Sequence, residues 1–267
     1  MFFGNLSRKT TSILNAITVA LVALPACAWG QASQSGEMPG MPGMSANING
    51  RACDDTSHMG AMTVVMGESM VAMATHLCMT PLRPQQTGDE ERAKALVAQV
   101  KAVMEKYKDY KKALADGYTI ANPNVEMPQY HFMNTANAKL ADTQFDPTKP
   151  TALLYFHTAN QRYRLEGVMY TDDVDATEDQ LNERVPLSIA RWHQHINFCA
   201  APANKVSEYH GATPKFGMFG SIHTAGACKA EGGTFYPIIF NWMVHVFPYE
   251  NDFKDVFSMN DDEAHVH

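Results

Sequence analysis

Residues 89–118 carry a single apolar stripe, and this stripe restricts the fold more than any other feature of the chain. Acidic residues lie at the start of the segment and lysines lie towards its end, as the helix dipole favours, and Gly117 is a natural stop signal. The spacing predicts one long amphipathic helix over 89–116 that covers the face of a flat layer. Its apolar positions recur every three or four residues: Leu96, Val100, Val103, Tyr107, Tyr110 and Leu114.

The rest of the chain after this helix is rich in apolar and aromatic segments that predict β-strands. Thr177 and Gln180 form a capping box that opens a short helix among them. Because the strands are grouped after a long helix instead of alternating with helices, the expected fold class is α+β. We expect an antiparallel sheet, partly rolled or sandwich-like, with the long helix packed on it. The predicted strands are 152–157, 163–171, 191–198 and 241–248.

The first residues have the pattern of an export signal. Arg8 and Lys9 supply a positive start, an uncharged apolar run follows, and the small residues of ACA at 26–28 fit a cleavage site. The run lacks a stop-transfer flank, so we expect no transmembrane span once the signal is removed. The protein is therefore predicted to be exported to the periplasm or the cell envelope. LPAC at 24–27 also resembles a lipobox, which leaves a lipid anchor at Cys27 as an alternative.

The composition of the chain predicts three segments after the signal, and its net charge argues against nucleic acid as a partner. After the predicted signal, 1–28, we expect a flexible arm rich in Met, Gly and Pro over 29–57, a single α+β domain over 58–250 and an acidic tail over 251–267. The net charge of the chain is −7. A nucleic-acid-binding protein needs a basic surface to replace the counterions of the phosphates, so we expect no nucleic acid as a partner.

The cysteine count agrees with an oxidising compartment. Apart from Cys27 the chain has four cysteines, an even number, which predicts two disulfides. Of the three possible connectivities, we expect the local one, Cys53 with Cys78 and Cys199 with Cys228. Because Cys199 follows two histidines closely, ligation of a metal by its thiolate is the alternative.

Nine of the 17 methionines lie between Met38 and Met79. In MPGMPGM, two prolines and two glycines oppose both a helix and a core, so the thioethers of Met38, Met41 and Met44 are expected to be exposed. Soft thioethers in an exported protein suit Cu(I). The following segment, 58–77, has methionines at helical spacing, and these are also typical of a helix whose methionines fill a core.

Histidines in several predicted strands indicate a second kind of site. RWHQHINFC places His193 and His195 on one face of a strand with Asn197. NWMVHVFP places His245 in the middle of an apolar strand, beside Met243 and Phe247 on the same face. With His131, in YHFMN, these imidazoles form a candidate metal centre with an open position for copper, zinc or iron.

Two resemblances accompany these patterns. The blocks PQYHFMN, FDPTKPTALLY, GVMYT, PLSIARWHQHINFC and NWMVHVFP resemble a family of exported bacterial proteins with no established activity, and the resemblance, over about residues 76–250, implies that the blocks belong to one domain. The HQH strand is also similar to the metal-binding strand of cupins. Asn197 and Cys199 stand where that family has an acid, so cupin membership is not expected.

Three functions are compatible with the sequence. The first is an exported metal-binding protein that handles copper, with the arm for capture and the histidines as a structured site. The second is a mononuclear metal-dependent enzyme that uses the same histidines. The chain has no nucleophile elbow, phosphate loop, dinucleotide fingerprint or zincin helix, so an enzymatic activity would have to depend on a metal at these histidines. The third is a disulfide-stapled envelope module that binds a partner without a metal. The sequence leaves open whether the protein is an enzyme.

Overall fold

The structure is a computed structural model, and every residue that it describes belongs to one compact unit, Gly43–His267. The predicted signal, Met38, Met41 and Met44 of the arm, and Cys53 lie outside the described residues. Within the described part of the chain, no helix combines the length and the apolar character needed to cross a membrane. The described residues are 47–48, 51–52, 74–121, 123, 129–157, 163–211 and 213–258.

The described residues form ten strands, five α-helices and two 3₁₀ segments. The strands are β1 (Asn47–Ile48), β2 (Arg51–Ala52), β3 (Leu77–Met79), β4 (Thr119–Ile120), β5 (Gln129–Met133), β6 (Ala152–His157), β7 (Tyr163–Asp172), β8 (His193–Ala200), β9 (Thr234–Ile238) and β10 (Trp242–Val246). The helices are α1 (Asp89–Tyr107), α2 (Tyr110–Ala115), α3 (Thr135–Ala141), α4 (Glu178–Arg184) and α5 (Ala225–Ala230). The 3₁₀ segments are Ala74–His76 and Ala203–Tyr209.

Eight strands form one antiparallel sheet in the order β3-β8-β10-β7-β6-β5-β4, with β9 paired to the second half of β8. The sheet is not closed, and β1 and β2 pair only with each other among the described strands. The predicted α+β class and its antiparallel sheet are therefore confirmed. The hairpin of β6 and β7 and the capping box that opens α4 are also present.

One face of the sheet packs against α1 and is called here the helix face. Alternate residues of each strand point to it, because side chains in a strand alternate between the two faces. Each large apolar side chain buried there stabilises the fold by about 1.5–3 kcal/mol. Val256 and Phe257, at the start of the predicted acidic tail, also join this core. The helix face is formed by Tyr130, Phe132, Leu153, Tyr155, Val168, Tyr170, Trp192, Ile196, Trp242, Val244 and Val246.

The predicted single helix over 89–116 is wrong in one respect, because the structure breaks it after Tyr107. The hydroxyl of Tyr155 donates to the Tyr107 carbonyl at 2.6 Å, so a side chain from β6 satisfies a backbone oxygen at the helix end. Asp109 then caps α2, accepting from the amide of Lys111. The change of direction leaves Leu114, predicted to lie in the apolar stripe, 41% exposed.

The predicted disulfide between Cys199 and Cys228 is present. It closes a loop with a sequence separation of 29 residues, for which chain entropy predicts about 3–4 kcal/mol of stabilisation. Because its sulfur is in this bond, Cys199 has no thiolate to offer, and the alternative of a thiolate ligand is wrong. Cys78 is also disulfide-bonded.

A buried ion pair fastens α4 to the end of β7. The Nη2 atom of Arg184 lies 2.7 Å from Oδ1 of Asp172, and both side chains are almost fully buried. Its Nη1 atom donates to the carbonyls of Ala141 and Thr171. Near the surface, Arg83 makes a comparable pair with Glu178 and Asp179.

Replacing Arg184 by leucine should therefore lower the free energy of unfolding by about 3–5 kcal/mol, because the Asp172 carboxylate stays buried without its cation. The matched change Arg83→Leu, at a solvated pair, should cost about 1 kcal/mol or less. Urea denaturation of both variants measures the difference. Equal losses would show that Arg184 stabilises the fold no more than a surface arginine does.

Candidate metal centre

The second face of the sheet carries the predicted histidines and is called here the histidine face. Trp192 and Ile196 lie in the helix-face core, so His193 and His195 point to the opposite side of β8. The same alternation in β5 and β10 directs His131 and His245 to this side. A separate apolar cluster of Ala152, Leu154, Met169, Met243 and Phe247 lies on the same face.

The four predicted histidines form a continuous row of ring contacts. The ring centres of His131 and His245 are 5.8 Å apart, and those of His245 and His193 are 5.3 Å apart. His193 then contacts His195 at 5.5 Å. The structure thus brings together the four histidines, from three strands, that the sequence proposed as one site.

The contact between His131 and His245 indicates that the sheet curves towards the histidine face. β10 and β5 are separated by β7 and β6, and three strand spacings in a flat sheet amount to about 14 Å. Imidazole rings on flat strands would not approach to 5.8 Å. Two small residues lie in the intervening strands: Ala152 of β6 pairs with Met169, the partner of His245, and Gly167 of β7 lies under the ring of Phe247.

Two nitrogens of the row are buried without a hydrogen-bond partner in the described part of the chain. The Nδ1 atoms of His193 and His195 are buried and have no hydrogen-bond partner among the described residues. An unsatisfied buried polar atom costs about 1–3 kcal/mol. Such atoms are uncommon in folded proteins and often indicate a bound ion or an ordered water.

The surroundings keep the central histidines neutral. Burial lowers the pKa of His245 to about 4. Burial, followed by the neighbouring imidazoles, lowers the pKa of His195 to about 4 and that of His193 well below its ordinary value. Because a metal ion binds the neutral ring, these side chains are in the ligating form at neutral pH.

The row has the spacing of a metal centre but not its final geometry. Two imidazoles that bind one ion at tetrahedral angles, with metal–nitrogen bonds of about 2.0–2.1 Å, have ring centres about 5 Å apart. The observed separations exceed this only slightly. As the side chains stand, however, no three His, Cys, Asp or Glu residues of the described chain form a group that could hold a metal ion. Binding therefore requires the rings to rotate.

The histidine face also carries methionines, of which sequence reasoning identified only Met243 as the neighbour of a candidate histidine. Met79 of β3 and Met243 of β10 are the Cα partners of His193 on its two sides, and Met169 of β7 is the partner of His245. Partners in an antiparallel pair share a face. The alternation of β10 signalled that Met243 and His245 share a face, but the pairing of Met79 and Met243 with His193 depends on the strand order.

Asn197 and the histidines outside the row make other contacts. The Asn197 side chain donates to the Thr75 carbonyl, and its backbone, with φ of 56°, breaks the alternation that was expected to place it beside His193. His76, fully buried beside β3, has Nε2 2.7 Å from the Gly220 carbonyl and contacts the ring of His223. His157 stacks on Tyr163 at the edge of the helix-face core.

No protein-family model, curated protein or solved structure matches the chain. The resemblances to a family of exported proteins and to the cupin strand therefore remain sequence observations.

The metal-free protein should lose stability as the pH falls from 7 to 5. The unfolded chain takes up protons on these histidines near pH 6.5, whereas the folded chain resists protonation until about pH 4. The free energy of unfolding should therefore decrease by about 1–2 kcal/mol for each buried histidine. Urea denaturation at the two pH values measures the change.

The double variant His193→Gln plus His245→Gln should show a smaller decrease than the wild type over this interval. Exposed histidines serve as the control, and His210→Gln plus His223→Gln should leave the decrease unchanged. If all three proteins respond equally to pH, the buried row does not determine the acid response.

Proposed function

We propose that the protein is an exported metal-binding protein that handles copper through the histidine face. The observation that carries this proposal is the pair of buried Nδ1 atoms, on His193 and His195, that lack a hydrogen-bond partner among the described residues. Histidines kept in a core for packing or hydrogen bonding would have carbonyl or hydroxyl partners. A metal ion would satisfy these nitrogens and offset the cost of burying them.

The donors on this face favour copper over harder ions. Imidazole binds copper, zinc and iron, whereas the thioethers of Met79, Met169 and Met243 suit copper. Hard ions such as Mg²⁺ and Ca²⁺ require oxygen ligands. In this proposal His193, His195 and His245 supply the main ligands, and His131 extends the row. Zinc or iron would occupy the same imidazoles less selectively.

The proposal also gives a role to the methionine-rich arm and agrees with export to an oxidising compartment. Met38, Met41 and Met44 would capture Cu(I) and pass it to the histidine face, because a flexible chain can bring thioethers close to a folded site. The disulfide between Cys199 and Cys228 supports an oxidising compartment, since such bonds persist there and are rare in the cytosol.

Copper binding tests the function directly. Purified protein, freed of metal with a chelator and dialysed against copper, should retain stoichiometric copper after gel filtration. His193→Asn plus His195→Asn should weaken binding by at least about tenfold, as measured by competition with a chromophoric chelator. The control, His157→Asn plus His210→Asn, removes two imidazoles from outside the row and should bind as the wild type does.

Two results would contradict the proposal. One is a wild-type protein that retains only traces of copper and of zinc. The other is a row variant that binds copper as tightly as the control variant. Circular dichroism of each protein verifies that a loss of binding does not reflect unfolding.

A further inference from the structure

We propose that Met79 and Met243 supply thioether ligands on the two sides of His193 and make this face selective for Cu(I) over divalent ions. This inference rests on the proposed metal-binding function and goes beyond it, because it assigns an oxidation state and two further ligands.

The register places both methionines beside the same imidazole. Met79 in β3 and Met243 in β10 are each the Cα partner of His193, so the three residues form one row across β3, β8 and β10. Directly opposed side chains of an antiparallel pair have Cβ atoms about 4.5–5.5 Å apart. Rotation about the Cα–Cβ and Cβ–Cγ bonds lets a methionine direct its sulfur towards a neighbouring ring within that distance.

Burial shields all three side chains from water. Met79 is 8% exposed, Met243 is 6% exposed and His193 is 1% exposed. A methionine in such a position often only fills a gap in the core. Here, however, both thioethers flank an imidazole whose Nδ1 atom has no hydrogen-bond partner among the described residues. Packing alone would not require that nitrogen to be buried.

The charge of the surroundings favours a monovalent ion. Imidazoles and thioethers are neutral donors, so the charge of a bound ion is not compensated by its ligands. The buried carboxylates among the described residues are Asp89 and Asp172, and each is paired with an arginine away from this face. Because the cost of burying an ion grows with the square of its charge, Cu(I) is buried at much lower cost than Zn(II) or Cu(II).

The types of donor atom also favour Cu(I) over Zn(II). Thioether sulfur is a soft ligand that selects Cu(I), whereas Zn(II) sites are built from thiolate, imidazole and carboxylate. The disulfide of Cys199 and Cys228 and the bonded Cys78 leave no thiolate among the described cysteines. Removal of the two thioethers should therefore weaken Cu(I) binding and leave the imidazoles able to bind Zn(II).

The test compares two double variants that make the same chemical change. Met79→Leu plus Met243→Leu removes the thioethers beside His193. The control, Met104→Leu plus Met218→Leu, removes one thioether that α1 contributes to the helix-face core and one in a loop. Leucine conserves methionine volume, so both variants should fold. Affinities are measured for Cu(I) against bicinchoninate under reducing conditions that leave the disulfides intact, and for Zn(II) against a fluorescent chelator.

The expected result is a loss of Cu(I) affinity of at least about tenfold in Met79→Leu plus Met243→Leu, with Zn(II) affinity within about threefold of the wild type. The control variant should match the wild type for both ions. Equal Cu(I) affinity in the two double variants would overturn the inference and leave metal binding by the histidines intact. A wild type that binds neither ion would instead refute the proposed function.

A spectroscopic measurement tests the ligands directly. X-ray absorption of the wild-type protein loaded with one equivalent of Cu(I) should show sulfur scatterers together with nitrogen scatterers in the first shell. Because the arm is also rich in methionine, the same spectrum is recorded for a protein that lacks residues 29–45. Sulfur that persists in the truncated protein and is lost when Met79→Leu plus Met243→Leu is added supports ligation by these two methionines. Sulfur that is unchanged by that double substitution, or a shell of nitrogen alone, overturns it.

Discussion

The pairing of β8 with a strand on each side is the constraint on which the rest of the structure depends. β3 and β10 hold the first half of β8 in register, and β9 pairs with its second half. A shift of one residue would turn His193 and His195 into the helix-face core and expel Trp192 and Ile196. Because Trp192 is fully buried against the helix face, the register that buries this indole also fixes the position of the imidazoles.

Local pattern predicted four of the eight strands of the sheet and most of the long helix. The strand over 152–157 and the capping box at Thr177 depend on short stretches of sequence, and both occur as expected. The break after Tyr107 could not be predicted in this way, since it depends on a hydroxyl supplied by Tyr155, 48 residues later. A contact across that separation leaves no periodic signal near the helix end.

The candidate site was predictable in its residue types but not in its full membership. Alternation alone places His193 and His195 on one face of their strand, and His245 beside Met243 on one face of another. The order of the strands, which no periodicity encodes, then decides which residues become neighbours across the sheet. Met79 illustrates the difference, since nothing in the segment around it indicates that it faces His193. The ring contact between His131 and His245 depends in addition on curvature, a property of the whole sheet.

Gly167 makes this arrangement sensitive to a position that touches no imidazole. A Cβ atom there would lie 2.7 Å from both the Phe247 ring and the Val246 carbonyl oxygen, closer than packed atoms approach. Any side chain would therefore displace β10, and His245 would move with its strand. A mutational survey confined to the histidines would overlook this residue, although the alignment of the imidazoles depends on its lack of a side chain.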